Sequence, residues 1–248
     1  MENLPALWIV IAAFMAAGLV KGTAGVGLPL TVLGVLTFFV DPRAAFSLAI
    51  VPIVTSNAIQ LYRAGRVWTA FEKYLPFIIC LVAGIPFFLW LSVDAPTETL
   101  FVFLGIVMII FVALNLSPYV PRIADRHDRK AQIILGTLAG VMGGLTSIWL
   151  PAIAILLTAR DSSKDEFIRA SALLLMMGSL PLFFGYFSVG ILDRATALLS
   201  ASMLIPTMAG LFLGEKLRDR LSEKAFRNAT LLLFFLIGLN LLRRGVFG

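Results

Sequence analysis

The groups in this 248-residue chain whose types and spacing can do chemistry are a lysine, two glycine-rich turns and a scatter of small polar side chains. Lys21 lies 16 residues into an apolar stretch, directly before Gly22-Thr23-Ala24-Gly25-Val26-Gly27. A second apolar stretch is interrupted by Gly143-Gly144-Leu145-Thr146-Ser147. A proline follows each interruption, Pro29 and Pro151. Proline suits the first turn of a helix and breaks an interior. Each stretch therefore reads as two half-helices meeting at an unwound turn. The first N–H groups of a helix have no intrahelical partner and carry the positive end of its dipole. Such an end attracts an anion, and an ammonium beside it adds a full charge.

The polar set extends along the apolar runs, with Thr55, Ser56, Asn57 and Gln60 in the first half and Ser171 and Ser179 in the second. Hydroxyl and amide donors can replace an anion's hydration shell. The candidate binding set is Lys21, Gly22, Thr23, Gly25, Gly27, Thr55, Ser56, Asn57, Gly144, Thr146, Ser147, Ser171 and Ser179. Each has a blander reading. The glycines can be close-packing positions between helices, and the polar side chains can be interhelical hydrogen bonds. Lys21 can mark the end of a span and snorkel to the interface. Asn115 and Asn240 match by repeat and read as helix-knitting groups.

Several chemistries are missing. The single histidine, His127, stands in a polar loop, so no buried Ser–His pair or zinc-protease site is expected. The carboxylates Asp41, Glu72, Asp94, Asp161, Asp193 and Glu215 fall in loops or near the ends of apolar runs. None sits where a mid-span proton relay would need it. No phosphate-binding Gly-x-x-x-x-Gly-Lys-Ser/Thr loop occurs. The chain reads as a non-enzyme with no metal and no cofactor.

The elements that position these groups are membrane helices. Sixty per cent of the residues are hydrophobic and 14% are charged, against about 45–50% and about 25% in soluble domains. The net charge of +6 comes from cations in short loops between apolar runs, as in cytoplasmic loops and not as on a nucleic-acid-binding face. The one cysteine, Cys80, excludes an internal disulfide. The N-terminus has no charged leader region and reads as the start of the first membrane segment. Runs of about 20 apolar residues are what a span needs. They fall at 5–40, 44–62, 70–92, 98–117, 132–159, 168–187, 194–214 and 225–243, six of them ordinary single spans and two of them the long broken stretches.

The chain repeats itself. Gly18 and Gly140 each precede their proline by 11 residues, Gly65 matches Gly190, Ala83-Gly84 matches Ala209-Gly210, and Leu114-Asn115-Leu116 matches Leu239-Asn240-Leu241. The offset runs from 122 to 126. This gives a first repeat over 1–117, a cytoplasmic linker over 118–131 and a second repeat over 132–248. If every stretch crossed once, the loop cations would divide ten to nine and set no orientation. If the two broken stretches enter and return, fifteen fall on one face (in 63–73, the linker, 160–169 and 216–227) and four on the other (Arg43, Arg194, Arg243 and Arg244). The positive-inside rule selects the second arrangement. The expected fold is all-α, with two inverted-topology repeats, each a broken re-entrant hairpin plus three spans. Both termini would lie outside.

The run Gly22 to Pro29, then Ala45 to Asn57, then Tyr62-Arg63-Ala64-Gly65-Arg66-Val67, resembles the TauE/SafE (TSUP) family of sulfite exporters. The pattern recurs more weakly at Gly143 to Pro151 and at Gly185 to Leu192. Leu28 stands where the family often continues its glycine run, and Thr146 and Ser147 stand where glycines are common. Members of that family are implicated in moving sulfite, organosulfonates and related organic acids, often outward across a bacterial inner membrane. The resemblance implies a multi-pass secondary transporter for a small, sulfur-containing anion such as sulfite or sulfoacetate. Helix ends near the midplane and Lys21 would hold the anion, and one element would move against another to give alternating access. An anion channel and a non-transporting scaffold or enzyme subunit are the alternatives. The partners expected are a small anion, the lipid bilayer and, as an open option, a second copy in a homodimer. Nucleic acid is not among them.

Overall fold

The computed structural model describes residues 7–117, 122–218 and 223–247. Residues 5–6 of the first apolar stretch, 118–121 of the linker and Arg220 among the cations of 216–227 lie outside the described residues. So do the side chains of Lys164, Arg218, Lys224 and Arg227. Among the described residues there are twelve α-helices and no strand. They are α1 (Leu7–Ala24), α2 (Leu28–Leu36), α3 (Pro42–Ala64), α4 (Trp68–Lys73), α5 (Leu75–Ser92), α6 (Thr97–Leu116), α7 (Asp128–Thr146), α8 (Leu150–Ala159), α9 (Lys164–Ser188), α10 (Arg194–Ser202), α11 (Leu204–Arg218) and α12 (Glu223–Phe247). Among the described residues, seven helical stretches are long and apolar enough to cross a membrane.

Both long stretches are broken, but not into equal halves. α1 and α7 have 18 and 19 residues, close to the hydrocarbon thickness at about 1.5 Å per residue. Only α2 and α8, with 9 and 10 residues, are half-length. The breaks lie late in each glycine cluster because Gly22, Gly143 and Gly144 stay helical. Pro29 and Pro151 take the first turns of α2 and α8. α2 packs on α1, and α8 packs on α7.

Two expected single spans are also divided. The stretch 70–92 becomes α4 and α5, joined at Tyr74, and 194–214 becomes α10 and α11, joined at Met203. Pro76 and Pro206 explain the joints, since proline removes an N–H and clashes with the carbonyl four residues back. Within α3, Pro52 has the same effect on the Leu48 carbonyl. Buried Ser200 of α10 repairs it, donating its hydroxyl to Leu48 O at 2.8 Å and accepting from Val51 N at 3.2 Å. A freed backbone group inside lipid needs such a substitute.

The helices form two compact units. One comprises Met1–Ile53, Pro96–Val112 and Gly190–Gly248, the other Val54–Ala95 and Ala113–Val189. Each draws helices from both halves of the chain.

In the first unit α1 packs on α11. Gly18 and Gly22 of α1 lie against the α11 backbone at Thr207, Leu211 and Glu215, and Gly210 and Gly214 of α11 lie against Met15 and Leu19. A Cβ on Gly18 would come within 2.9 Å of Leu211 N. Lipid offers no hydrophobic drive between helices, so close backbone approach at small residues supplies the packing energy. At one end of this unit Thr97 donates to Asp41 Oδ2 at 2.6 Å. The Arg244 guanidinium there donates to the Thr37 carbonyl and covers the Phe101 ring at 4.2 Å.

The second unit repeats the contact with the roles exchanged. α7 of the second half packs on α5 of the first. A Cβ on Gly84 would meet Gly140 Cα at 3.0 Å, and one on Gly144 would meet Ile85 O and Leu89 N, both at 2.7 Å. One end carries a polar cluster. Lys73 Nζ pairs with Glu166 Oε1 at 2.6 Å, and buried Tyr74 donates to the same oxygen at 2.7 Å. Arg160 pairs with Asp128, and Gln132 Nε2 bridges Asp128 Oδ2 at 2.8 Å and Lys73 O at 3.0 Å. Ile123 N donates to Ala159 O at 2.8 Å. The start of α7 and the end of α8 therefore lie together.

Candidate functional site

The first turn, in the first unit, starts with Lys21 in the last turn of α1, buried at 6% exposure. Gly22 beside it is a packing glycine: an added Cβ would strike α11. The Thr23 hydroxyl donates back to Leu19 O at 2.9 Å and Val20 O at 3.0 Å, so it serves its own helix. Gly25 and Gly27 carry the turn itself, with φ of 77° and 100°. That left-handed region is nearly free to glycine and costs other residues roughly 1–2 kcal/mol. Ala24 is exposed, and Gly25 and Val26 are half-buried. Gly27 caps α2 with no side-chain acceptor on the helix's first amides, and Pro29 brings no N–H. The α2 start is thus a short row of amides without a side-chain cap, a few residues beyond the buried Lys21 side chain.

The other candidates belong to the second unit. Thr55 is half-buried, while Ser56 and Asn57 are buried. Asn57 Nδ2 donates to Ser179 Oγ at 2.8 Å, and Ser179 donates to Leu175 O at 2.6 Å. The structure therefore brings Asn57 and Ser179 together. It gives Ser171 a local bond to Ile168 O at 3.1 Å and Thr146 one to Met142 O at 2.7 Å. Gly144 is a packing glycine against α5. On α3, Gln60 Oε1 is buried with no hydrogen-bond partner. A buried orphan acceptor is uncommon and calls for a donor from water or a ligand.

The second turn is closed where the first is open. Ser147 has φ 60°, and every residue from Thr146 to Leu150 is buried. Ser147 Oγ shares a hydrogen bond with Tyr186 OH. Trp149 Nε1 donates to Leu174 O at 3.3 Å, and its indole fills the place a Gly178 side chain would take. Sequence reasoning missed Tyr186 and Trp149. Both stand in apolar runs, and nothing local marks an aromatic there as a turn partner.

Among the described residues no three His, Cys, Asp or Glu side chains gather to hold a metal. Seven apolar helical stretches of spanning length, buried glycine contacts between helices and a broken helix beside a buried lysine define a multi-pass helical membrane protein. A family model described as "Sulfite exporter TauE/SafE" matches residues 10–241, and the chain belongs to that transporter family. Neither the curated proteins nor the solved structures gave a match.

Proposed function

We propose that this chain is a secondary transporter that exports a small sulfur-containing anion, sulfite or an organosulfonate such as sulfoacetate, across a bacterial inner membrane. The observation that carries the reading is Lys21. It is a buried lysine in the last turn of α1, just ahead of the uncapped start of α2. A lysine enclosed within a membrane helix bundle is costly and marks a substrate path by default. The uncapped first amides of α2 and, separately, those of α8 would each take an anion's oxygens, with Lys21 as counter-charge beside α2. Gly22, Thr23, Gly25 and Gly27 would shape the first turn, and Gly144, Thr146 and Ser147 the second. Thr55, Ser56, Asn57, Ser171 and Ser179 would select among anion shapes. The orphan Gln60 acceptor supports a wet or ligand-visited place along α3.

The architecture proposed with it is a pair of inverted repeats, 1–117 and 132–248, each with a re-entrant hairpin, joined by a cytoplasmic linker. Two contacts support it. The Ile123–Ala159 bond returns the end of α8 to the start of α7, and the Arg244–Thr37 bond joins the end of α2 to the end of α12. If each broken stretch crossed once, both contacts would have to reach across the bilayer.

The test is counterflow of labelled sulfite and sulfoacetate in liposomes holding purified protein. Saturable counterflow is expected, and it excludes a channel. Lys21→Met abolishes it while the protein stays folded in detergent, and Lys21→Arg keeps part of it. A wild-type protein that moves neither anion sinks the reading and favours a scaffold or enzyme subunit. Normal counterflow in Lys21→Met removes the lysine from the mechanism.

A further inference from the structure

We propose that Tyr186 is a positioning residue, which pins the second turn through Ser147 and so fixes where the first amides of α8 stand. The pin is read from geometry alone; its effect on transport rests on the anion reading above. Ser147 adopts a left-handed backbone at φ 60°, which glycine would take without a Cβ clash. A serine persists there only when its surroundings hold it. Tyr186 at 1% exposure and Ser147 at 2% share a hydrogen bond inside the unit. The same helix, α9, grips the turn again through the Trp149 indole, bonded to Leu174 O and seated against Gly178.

The first half shows what the pin replaces. Gly25 lies 122 positions before Ser147 and takes the same left-handed backbone, with nothing within 4 Å of where its Cβ would be. Gly27 stands at the position equivalent to Trp149. One turn is thus glycine, half-buried and unpinned, while the other is buried and held by two aromatic residues. The pinned turn keeps a fixed set of amides for the anion. Fixing a binding group beforehand lowers the cost of binding.

Two variants test this. Tyr186→Phe removes the hydroxyl and keeps the ring. Ser147→Gly removes the partner hydroxyl and relieves the backbone. In protein without anion, amide hydrogen exchange at residues 148–153 should rise about tenfold in either variant. In liposomes the sulfite half-saturation concentration of Tyr186→Phe should rise about three- to tenfold, with maximal rate per folded molecule within about twofold. The double variant should be no worse than either single one, because both remove one bond. A merely structural role would lower the yield of folded protein and leave half-saturation unchanged. Unchanged exchange in both variants overturns the pin. Raised exchange with unchanged half-saturation overturns the positioning role. If the wild type moves no sulfite, the anion reading fails by itself, and the exchange measurement alone decides the pin.

Discussion

Asn57 and Ser179 are 122 residues apart in the chain and joined by a hydrogen bond of 2.8 Å. The same offset relates Gly18 to Gly140 and Pro29 to Pro151. The bond joins α3 to α9, and its worth is measurable. Asn57→Leu, Ser179→Ala and the double variant should show a coupling of about 0.6 kcal/mol in a denaturation cycle, the typical value for such bonds between membrane helices. Strictly additive losses would mean that the bond contributes nothing.

Gly18 and Gly25 should respond oppositely to alanine. At Gly18 the new methyl meets α11 backbone, which cannot step aside. Overpacking of that kind costs about 1–3 kcal/mol, and the detergent melting temperature should fall accordingly. At Gly25 nothing crowds the methyl, and the cost is only that of the left-handed backbone. Its fold should survive. A Gly18→Ala protein that melts with the wild type would refute the close packing of α1 on α11.

Tyr74 should make stability fall at high pH. Burial first, and then its bond to the Glu166 carboxylate, hold the phenol's pKa well above its ordinary value. In the unfolded chain the phenol ionises at about pH 10, while in the fold it stays protonated. Its contribution is therefore whole below about pH 10 and drains away as pH rises beyond it. Thermal melts of wild type and Tyr74→Phe should converge between about pH 9 and about pH 11. A gap that stays constant across that range would contradict the assignment.

Side-specific labelling should place Arg66 and Lys216 on one membrane face. In a Cys80→Ser background, single cysteines at Arg66, Lys216 and Arg243 each present an exposed position. An impermeant maleimide should label the first two from the cytoplasmic side and the third from outside. Labelling of 66 and 216 from opposite sides would rule out the inverted hairpins.

The sequence foretold the two breaks to within a few residues because glycine clusters and prolines act locally. It placed the first break as early as Gly22, and the fold shows why the helix runs on. Gly22 is small so that α11 can approach, a demand set by a residue 189 positions away, Leu211. The same distance hid Tyr186 and Trp149, whose partners lie 39 and 25 residues off. Pro76 and Pro206 were visible, but hydropathy alone ran the spans across them. Of the candidate site, the first turn was legible from local chemistry. For Thr23, Thr146 and Ser171, the hydroxyls proved to serve their own helices.

The exchange of partners between the halves has a consequence for synthesis. α1 is made well before the helix that covers its glycine face, α11, which begins at Leu204. At about 5–20 residues per second, roughly 10–40 s separate the two. During that interval the nascent chain carries a bare backbone groove into the bilayer. The ribosome thus delivers the lock long before the key, and any neighbouring nascent copy offers the groove a counterfeit.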